Sequence, residues 1–196
     1  KEKYGAWLMV DEAHALGITG ANGYGSREKY NIDPAKVDIW MGTLSKTLGA
    51  AGGYIAGCAA LIELLKSRAP GFVYSVGLSP ALAAAANKSL ELVHEEPDRI
   101  KRLQSNGKYF VKIAQEAGLD TGFSEGYAVT PILLGDSLIA AKLTEGLLEK
   151  GYNVMPILYP AVPMKSARLR FFITSEHTKE QLDGAVSATS EVLRYL

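Results

Sequence analysis

A carboxylate, an imidazole, a hydroxyl and a primary amine stand at the ends of two apolar runs in this sequence. Asp11 and His14 follow Leu8-Met9-Val10, and Thr43 and Lys46 follow Ile39-Trp40-Met41. Each run reads as a strand, and ligands bind outside the carboxyl ends of strands in open α/β sheets. A carboxylate there can face a basic ring nitrogen. A lysine there can hold an aldehyde, and burial of its amine would sharpen its nucleophilicity.

One cofactor asks for both partners. Pyridoxal phosphate has a ring nitrogen that pairs with a carboxylate and an aldehyde that pairs with a lysine. Plainer readings stand beside this one. Asp11 could simply cap backbone N–H groups after the strand, and Lys46 could be a solvated loop lysine. The letters Asp11-Glu12-Ala13-His14 also spell a helicase nucleotide-hydrolysis motif. That reading wants arginine-rich motifs downstream, which the sequence lacks. A phosphate loop wants glycine directly before its lysine, whereas Ser45 precedes Lys46. Gly49, Gly52, Gly53 and Gly57 do not match the dinucleotide fingerprint either.

Composition narrows the classes further. The 196 residues carry a formal net charge of zero, which gives no electrostatic case for nucleic acid or an anionic membrane. The single cysteine, Cys58, allows no intrachain disulfide and no cysteine-built metal site. No apolar run of about eighteen residues occurs. A cytoplasmic setting fits, and no metal site is arguable.

The elements that must position these groups follow from periodicity and punctuation. Lys1 to Gly5 reads as a helix tail with its C-cap glycine, and Ala6 to Val10 as a buried strand. Val37–Met41 and Gly52–Gly57 are further predicted strands. Ala59–Lys66 has helical spacing. A long helix runs from Pro80 to about His94, with Ser79 as N-cap. Glu95-Glu96-Pro97 reads as a boundary. Beyond it, helices are predicted over Pro97–Ala117, Ser137–Lys150 and Thr178–Leu193, the last with a capping signal from Thr178 and a following glutamate. Strands are predicted over Ala128–Leu134, Asn153–Leu158 and Arg168–Ile173. This gives an α/β unit over residues 1–95 and a smaller α+β unit over 96–196. Alternation places Arg168 and Arg170 on one face of their strand, where either could bind a carboxylate. Ser75 and Ser79 could meet an anion, although capping alone would explain Ser79. His94 and His177 read as capping or solvated, and Cys58 as small-residue packing. Tyr54, Phe72 and Tyr159 are candidates for a pocket wall. The abrupt start, in the middle of an architecture, reads as the C-terminal part of a longer enzyme.

Four stretches, in order along nearly the whole chain, carry a resemblance: VDEAHALGITGANGYG, DIWMGTLSKTLGAAGGYIAG, FVYSVGLSP and ARLRFFITSEHT. Together they resemble the α-oxoamine synthases, which are fold-type I pyridoxal-phosphate enzymes. The resemblance implies a partial large-domain sheet followed by a small α+β C-terminal domain. It implies that Lys46 holds the cofactor aldehyde and later moves the Cα proton. It gives Asp11 the pyridinium nitrogen, His14 a place beside the ring's phenolic oxygen, and Thr43 a phosphate contact. Ser75 resembles a phosphate contact donated by the other subunit of a homodimer, and Arg170 the clamp for the amino-acid carboxylate. The implied reaction is decarboxylative condensation of a small amino acid with an acyl thioester, on CoA or an acyl carrier protein. The family's upstream cofactor contacts have no counterpart here, so the chain alone is expected to be inactive. A class I/II aminotransferase and a non-catalytic partner subunit are the alternatives.

Overall fold

The computed structural model describes all residues from Lys1 to Leu196. They form two compact units, Lys1–Ile100 and Lys101–Leu196.

The first unit is built on a three-stranded sheet of order β1-β2-β3, with β1 at Met9–Asp11, β2 at Ile39–Thr43 and β3 at Gly53–Gly57. β1 runs parallel to β2, and β3 is antiparallel to it. The connection from β1 to β2 contains a glycine-rich loop and the short helix α1 (Ser26–Lys29). Helices α2 (Ala59–Arg68), α3 (Pro70–Val73) and α4 (Pro80–Glu95) follow β3. The alanine-rich face of α4 allows close approach: Ala86 is buried with Leu44 and Leu48 of the segment after β2, and Leu16, Ala50 and Tyr54 pack around them.

Several expectations change here. The first strand begins at Met9 and is not buried, since Trp7, Leu8 and Met9 are exposed. It pairs with β2, and neither of its faces is covered by other residues of this chain. Lys1 to Gly5 forms a single 3-10 turn, closed by Gly5 at φ 61. Ser79 precedes α4 but its side chain makes no capping bond. Pro80 follows it and has no N–H, so the first turn presents one fewer donor to cap. Cys58 is exposed rather than packed.

The second unit packs helices on an antiparallel sheet of order β4-β6-β5, with β4 at Val129–Gly135, β5 at Met155–Ile157 and β6 at Ala167–Phe172. Its helices are most of α5 (Pro97–Glu116), then α6 (Ser137–Glu149) and α7 (Lys179–Leu193). Period-two burial along β6 puts Ala167, Leu169 and Phe171 inward. Leu169 and Phe171 join Leu143 and Leu147 of α6, Leu182 and Val186 of α7, and Phe110 and Ala114 of α5 in one core. Phe110 stacks on Phe171 with ring centroids 5.0 Å apart. α7 opens with a true capping box, but the reciprocal partner of Thr178 is Gln181 rather than the adjacent glutamate. Only the third helical residue can reach back to the N-cap amide.

No helix is long and apolar enough to cross a membrane.

Candidate active site

The parallel pairing of β1 with β2 sets Asp11 beside Met41. Side chains two apart on a strand share a face, so Thr43 lies on the same face as Asp11. Both residues end their strands, where an α/β sheet offers its ligand crevice. The Asp11 carboxylate accepts from the Ala13 amide through Oδ1 at 2.7 Å. Its capping role is therefore real, but it engages one oxygen and leaves Oδ2 for a second partner. Asp11 is exposed.

The chain then turns sharply. Glu12 N donates to Met41 O at 2.7 Å, and Ala15 N and Leu16 N both return to Glu12 O. His14 sits inside this turn with an exposed side chain.

On β2 the Thr43 hydroxyl is engaged locally. It donates to Gly52 O at 3.2 Å, accepts from Ser45 N at 3.2 Å and lies 2.7 Å from Ser45 Oγ. An incoming anion would take over the proton now given to Gly52. Ser45 thus supplies a second hydroxyl at the same place, a feature the sequence reading left unassigned.

Lys46 follows on a turn closed by Gly49 N to Lys46 O at 3.0 Å and Ala50 N to Leu44 O at 2.8 Å. Leu44 and Leu48 are buried against Ala86 while Lys46 is exposed. Two apolar anchors thus hold the turn and leave the amine at the surface. The burial expected to activate Lys46 is not supplied by the residues of this chain.

The opposite face of the sheet is closed. Tyr54 pairs with Gly42, and a Cβ at position 42 would meet the phenol ring. Burial pushes the Tyr54 hydroxyl above its ordinary value, with the nearby Glu12 and Asp11 carboxylates adding to the effect. Glu12 itself is buried and accepts from Ser26 N at 3.0 and 3.2 Å. Gly25, at φ 81, lets the chain pass against the Glu12 carboxylate. Glu28 holds the same loop from its far side, accepting from Asn22 N, Asn22 Nδ2 and Tyr24 N. Burial raises the Glu28 pKa, but these three bonds together outweigh it and hold the carboxyl below its ordinary value. Neither carboxylate carries an assigned role in the sequence analysis. The signal for Glu12 was its place directly after a strand-end aspartate.

Ser75 is not joined to this group. It lies in the exposed stretch after α3, and its hydroxyl donates back to Phe72 O at 3.3 Å. Phe72, Tyr74, Val76 and Leu78 around it are also exposed, so Phe72 walls no pocket within its unit.

In the second unit, Arg168 and Arg170 share the face of β6 opposite the core. Arg168 Nε donates to Ser166 O at 3.0 Å. Arg170 stacks its guanidinium on Phe172 at 4.8 Å, and its Nε is buried without a hydrogen-bond partner. An unpaired buried N–H costs free energy, so an incoming carboxylate would find a donor already dry. Tyr159 is exposed. His94 Nδ1 lies 2.7 Å from the Tyr24 hydroxyl, and His177 Nδ1 accepts from Thr174 N. No group of three or more His, Cys, Asp or Glu side chains is arranged to hold a metal ion.

The class I and II aminotransferase family matches residues 1–188. The 8-amino-7-oxononanoate synthase of Symbiobacterium thermophilum is 44% identical over 195 residues, covering 100% of this chain and 49% of that protein. A solved serine palmitoyltransferase variant from S. paucimobilis, with a bound PLP–myriocin aldimine, superposes with a TM-score of 0.92 at 27% identity. The match covers 99% of this chain and 49% of that one. The 8-amino-7-oxononanoate synthase from Francisella tularensis superposes with a TM-score of 0.85 at 28% identity, over 96% of this chain and 55% of that one. The chain spans about half the length of the curated relatives it matches.

Proposed function

The chain belongs to the class I and II aminotransferase family, and from that premise we propose that it forms part of a pyridoxal-phosphate-dependent C-acyltransferase of the α-oxoamine synthase type. The observation that carries this reading is the shared sheet face of Asp11 and Thr43, with Lys46 held at the surface between two buried leucines. The donor set fits the cofactor: a carboxylate oxygen without a partner, a pair of hydroxyls and an exposed amine lie within one strand-end cluster.

In this reading Asp11 Oδ2 would pair with the pyridine nitrogen and keep a proton there. Lys46 Nζ would hold the aldehyde and would move the proton at the amino acid's Cα. Thr43, with Ser45 behind it, donates to the phosphate, and Ser75 donates to the phosphate of the other subunit in a homodimer. His14 flanks the ring's phenolic oxygen. Arg170 grips the amino-acid carboxylate, where its dry Nε gains the partner it lacks. Pyridoxal phosphate, when bound, supplies the electron sink that lets a carbanion form at Cα. That carbon would bond to the acyl carbonyl as the thiol of CoA or a carrier protein leaves; the carboxylate would then depart as carbon dioxide, its bonding pair would stay at Cα, and a proton would return there.

Residues 1–95 then serve as part of the cofactor-binding large domain and 96–196 as the small domain of a cytoplasmic biosynthetic enzyme. The complete protein is the active species, and the 196-residue chain alone is inactive. The family match also includes transamination. Incubation of the complete protein with glycine, alanine or serine and an acyl-CoA separates the readings. Thiol and carbon dioxide released in equal amounts support the acyltransferase. Oxo-acid formation without thioester consumption replaces it with an aminotransferase. A non-catalytic partner subunit is disfavoured by the presence of Lys46, and full activity of a complex carrying Lys46→Ala would restore it.

A further inference from the structure

The Asp11–His14 segment and the Lys46 turn are tied together by the side chain of Thr47. Thr47 Oγ1 donates to the Leu16 carbonyl at 2.8 Å, across 31 residues of sequence. Its methyl group lies where a Cβ on Gly17 would be, and Gly17 holds φ 75 to admit it. Gly17 N in turn donates to Gly23 O at 2.7 Å, and Leu16 bridges to Tyr24.

The turn that carries His14 is thereby pinned at one end to β2 and at the other to the turn that follows β2. At its start, Glu12 N is bonded to Met41 O of β2. At its end, Leu16 O is bonded to Thr47, the residue next to Lys46. Of the two ties, the first is a continuation of the strand ladder. The second depends on one hydroxyl.

We propose that Thr47 is a positioning residue: its bond to Leu16 O fixes the segment bearing Asp11 and His14 relative to the Lys46 amine. This rests on the reading that Lys46 is the reactive amine. A threonine suits the position because it has two functions there. The hydroxyl closes the latch, and the methyl fills the space above Gly17.

Two substitutions separate these functions. Thr47→Val keeps the branched shape and the methyl contact but removes the donor. Thr47→Ser keeps the donor and removes the methyl. The first measurement is amide exchange over residues 13–19 in protein without cofactor. Loss of one net hydrogen bond corresponds to faster exchange by about tenfold. Thr47→Val shows that increase, and Thr47→Ser stays close to the parent. The second is the rate at which pyridoxal phosphate labels Lys46, trapped by borohydride and read by peptide mass spectrometry, with exposed Lys66 as internal reference. Thr47→Val lowers the Lys46 rate relative to Lys66, and Thr47→Ser restores it. A general loss of structure would also bring the ratio toward one, but it would quicken amide exchange throughout the first unit rather than over residues 13–19 alone.

Unchanged exchange in Thr47→Val overturns the latch. Faster exchange with an unchanged Lys46 to Lys66 ratio overturns its positioning role. The parent protein is the control for the underlying reading: if Lys46 is labelled no faster than Lys66 there, the reading of Lys46 itself fails, whatever the Thr47 variants do.

Discussion

Asp11 and Thr43 present their side chains on one face of the β1–β2 pair, because Asp11 stands beside Met41 and Thr43 lies two residues farther along the same strand. The opposite face is filled by the Tyr54 ring over Gly42 and by the Leu44–Leu48–Ala86 cluster. One side of a small sheet is thus left for chemistry while the other holds it rigid.

Gly42 is the first point at which that arrangement can be broken. A methyl group at this position overlaps the Tyr54 ring. Gly42→Ala is expected to destabilise the first unit by about 1–3 kcal/mol, the usual range for overpacking. Because the overlap is with ring carbons as well as the hydroxyl, Tyr54→Phe does not relieve it, whereas Tyr54→Ala in the same chain does. Chemical denaturation of the three variants checks the order.

The Tyr54 phenol titrates above its ordinary value because burial disfavours the phenolate and the Glu12 and Asp11 carboxylates repel it. Glu12→Gln removes the carboxylate with the stronger influence on the phenol, so the Tyr54 titration is expected to move down toward the ordinary value. Stability linked to this group is full below the ordinary tyrosine value and is lost as pH rises through the raised one. Carbon NMR of ring-labelled tyrosine, assigned with Tyr54→Phe, reads the shift.

Glu28 gives the opposite pH sign. Its carboxyl is held low, so its contribution is present above the ordinary carboxylate value and is lost as pH falls through the lowered one. Protonation frees the Tyr24 and Asn22 amides. Amide exchange at Tyr24, corrected for its intrinsic rate, is expected to quicken on acidification below the ordinary carboxylate range. Glu28→Gln, with no carboxylate to titrate, is expected to lose that acid dependence.

The second unit depends on its own core. Phe110 is fully buried and stacks on Phe171. Phe110→Ala is expected to cost about 3–5 kcal/mol, as aromatic truncations in well-packed cores do. A change under about 1 kcal/mol, measured by denaturant unfolding, would mean that the cluster collapses around the gap.

The strand-end placement of Asp11 and Lys46 was legible because an apolar run followed by a polar turn leaves a periodic trace. The face of Arg170 was legible for the same reason, through the alternation of Ala167, Leu169 and Phe171. What joins these pieces left no trace. The Thr47 bond to Leu16 O and the Glu12 bond to Ser26 N link side chains to distant backbone, and no spacing rule reports such pairs. The burial assigned to Ala6–Val10 failed because hydrophobicity records what a strand can cover, whereas exposure depends on its neighbours.

The central claim is that Lys46 is the amine that holds pyridoxal phosphate. Borohydride reduction of the protein with pyridoxal phosphate, followed by peptide mass spectrometry, tests it directly. The account predicts a covalent adduct concentrated on Lys46, together with a visible absorbance band that Lys46→Ala abolishes. An adduct spread evenly over exposed lysines such as Lys66, or a band that survives Lys46→Ala, would contradict it.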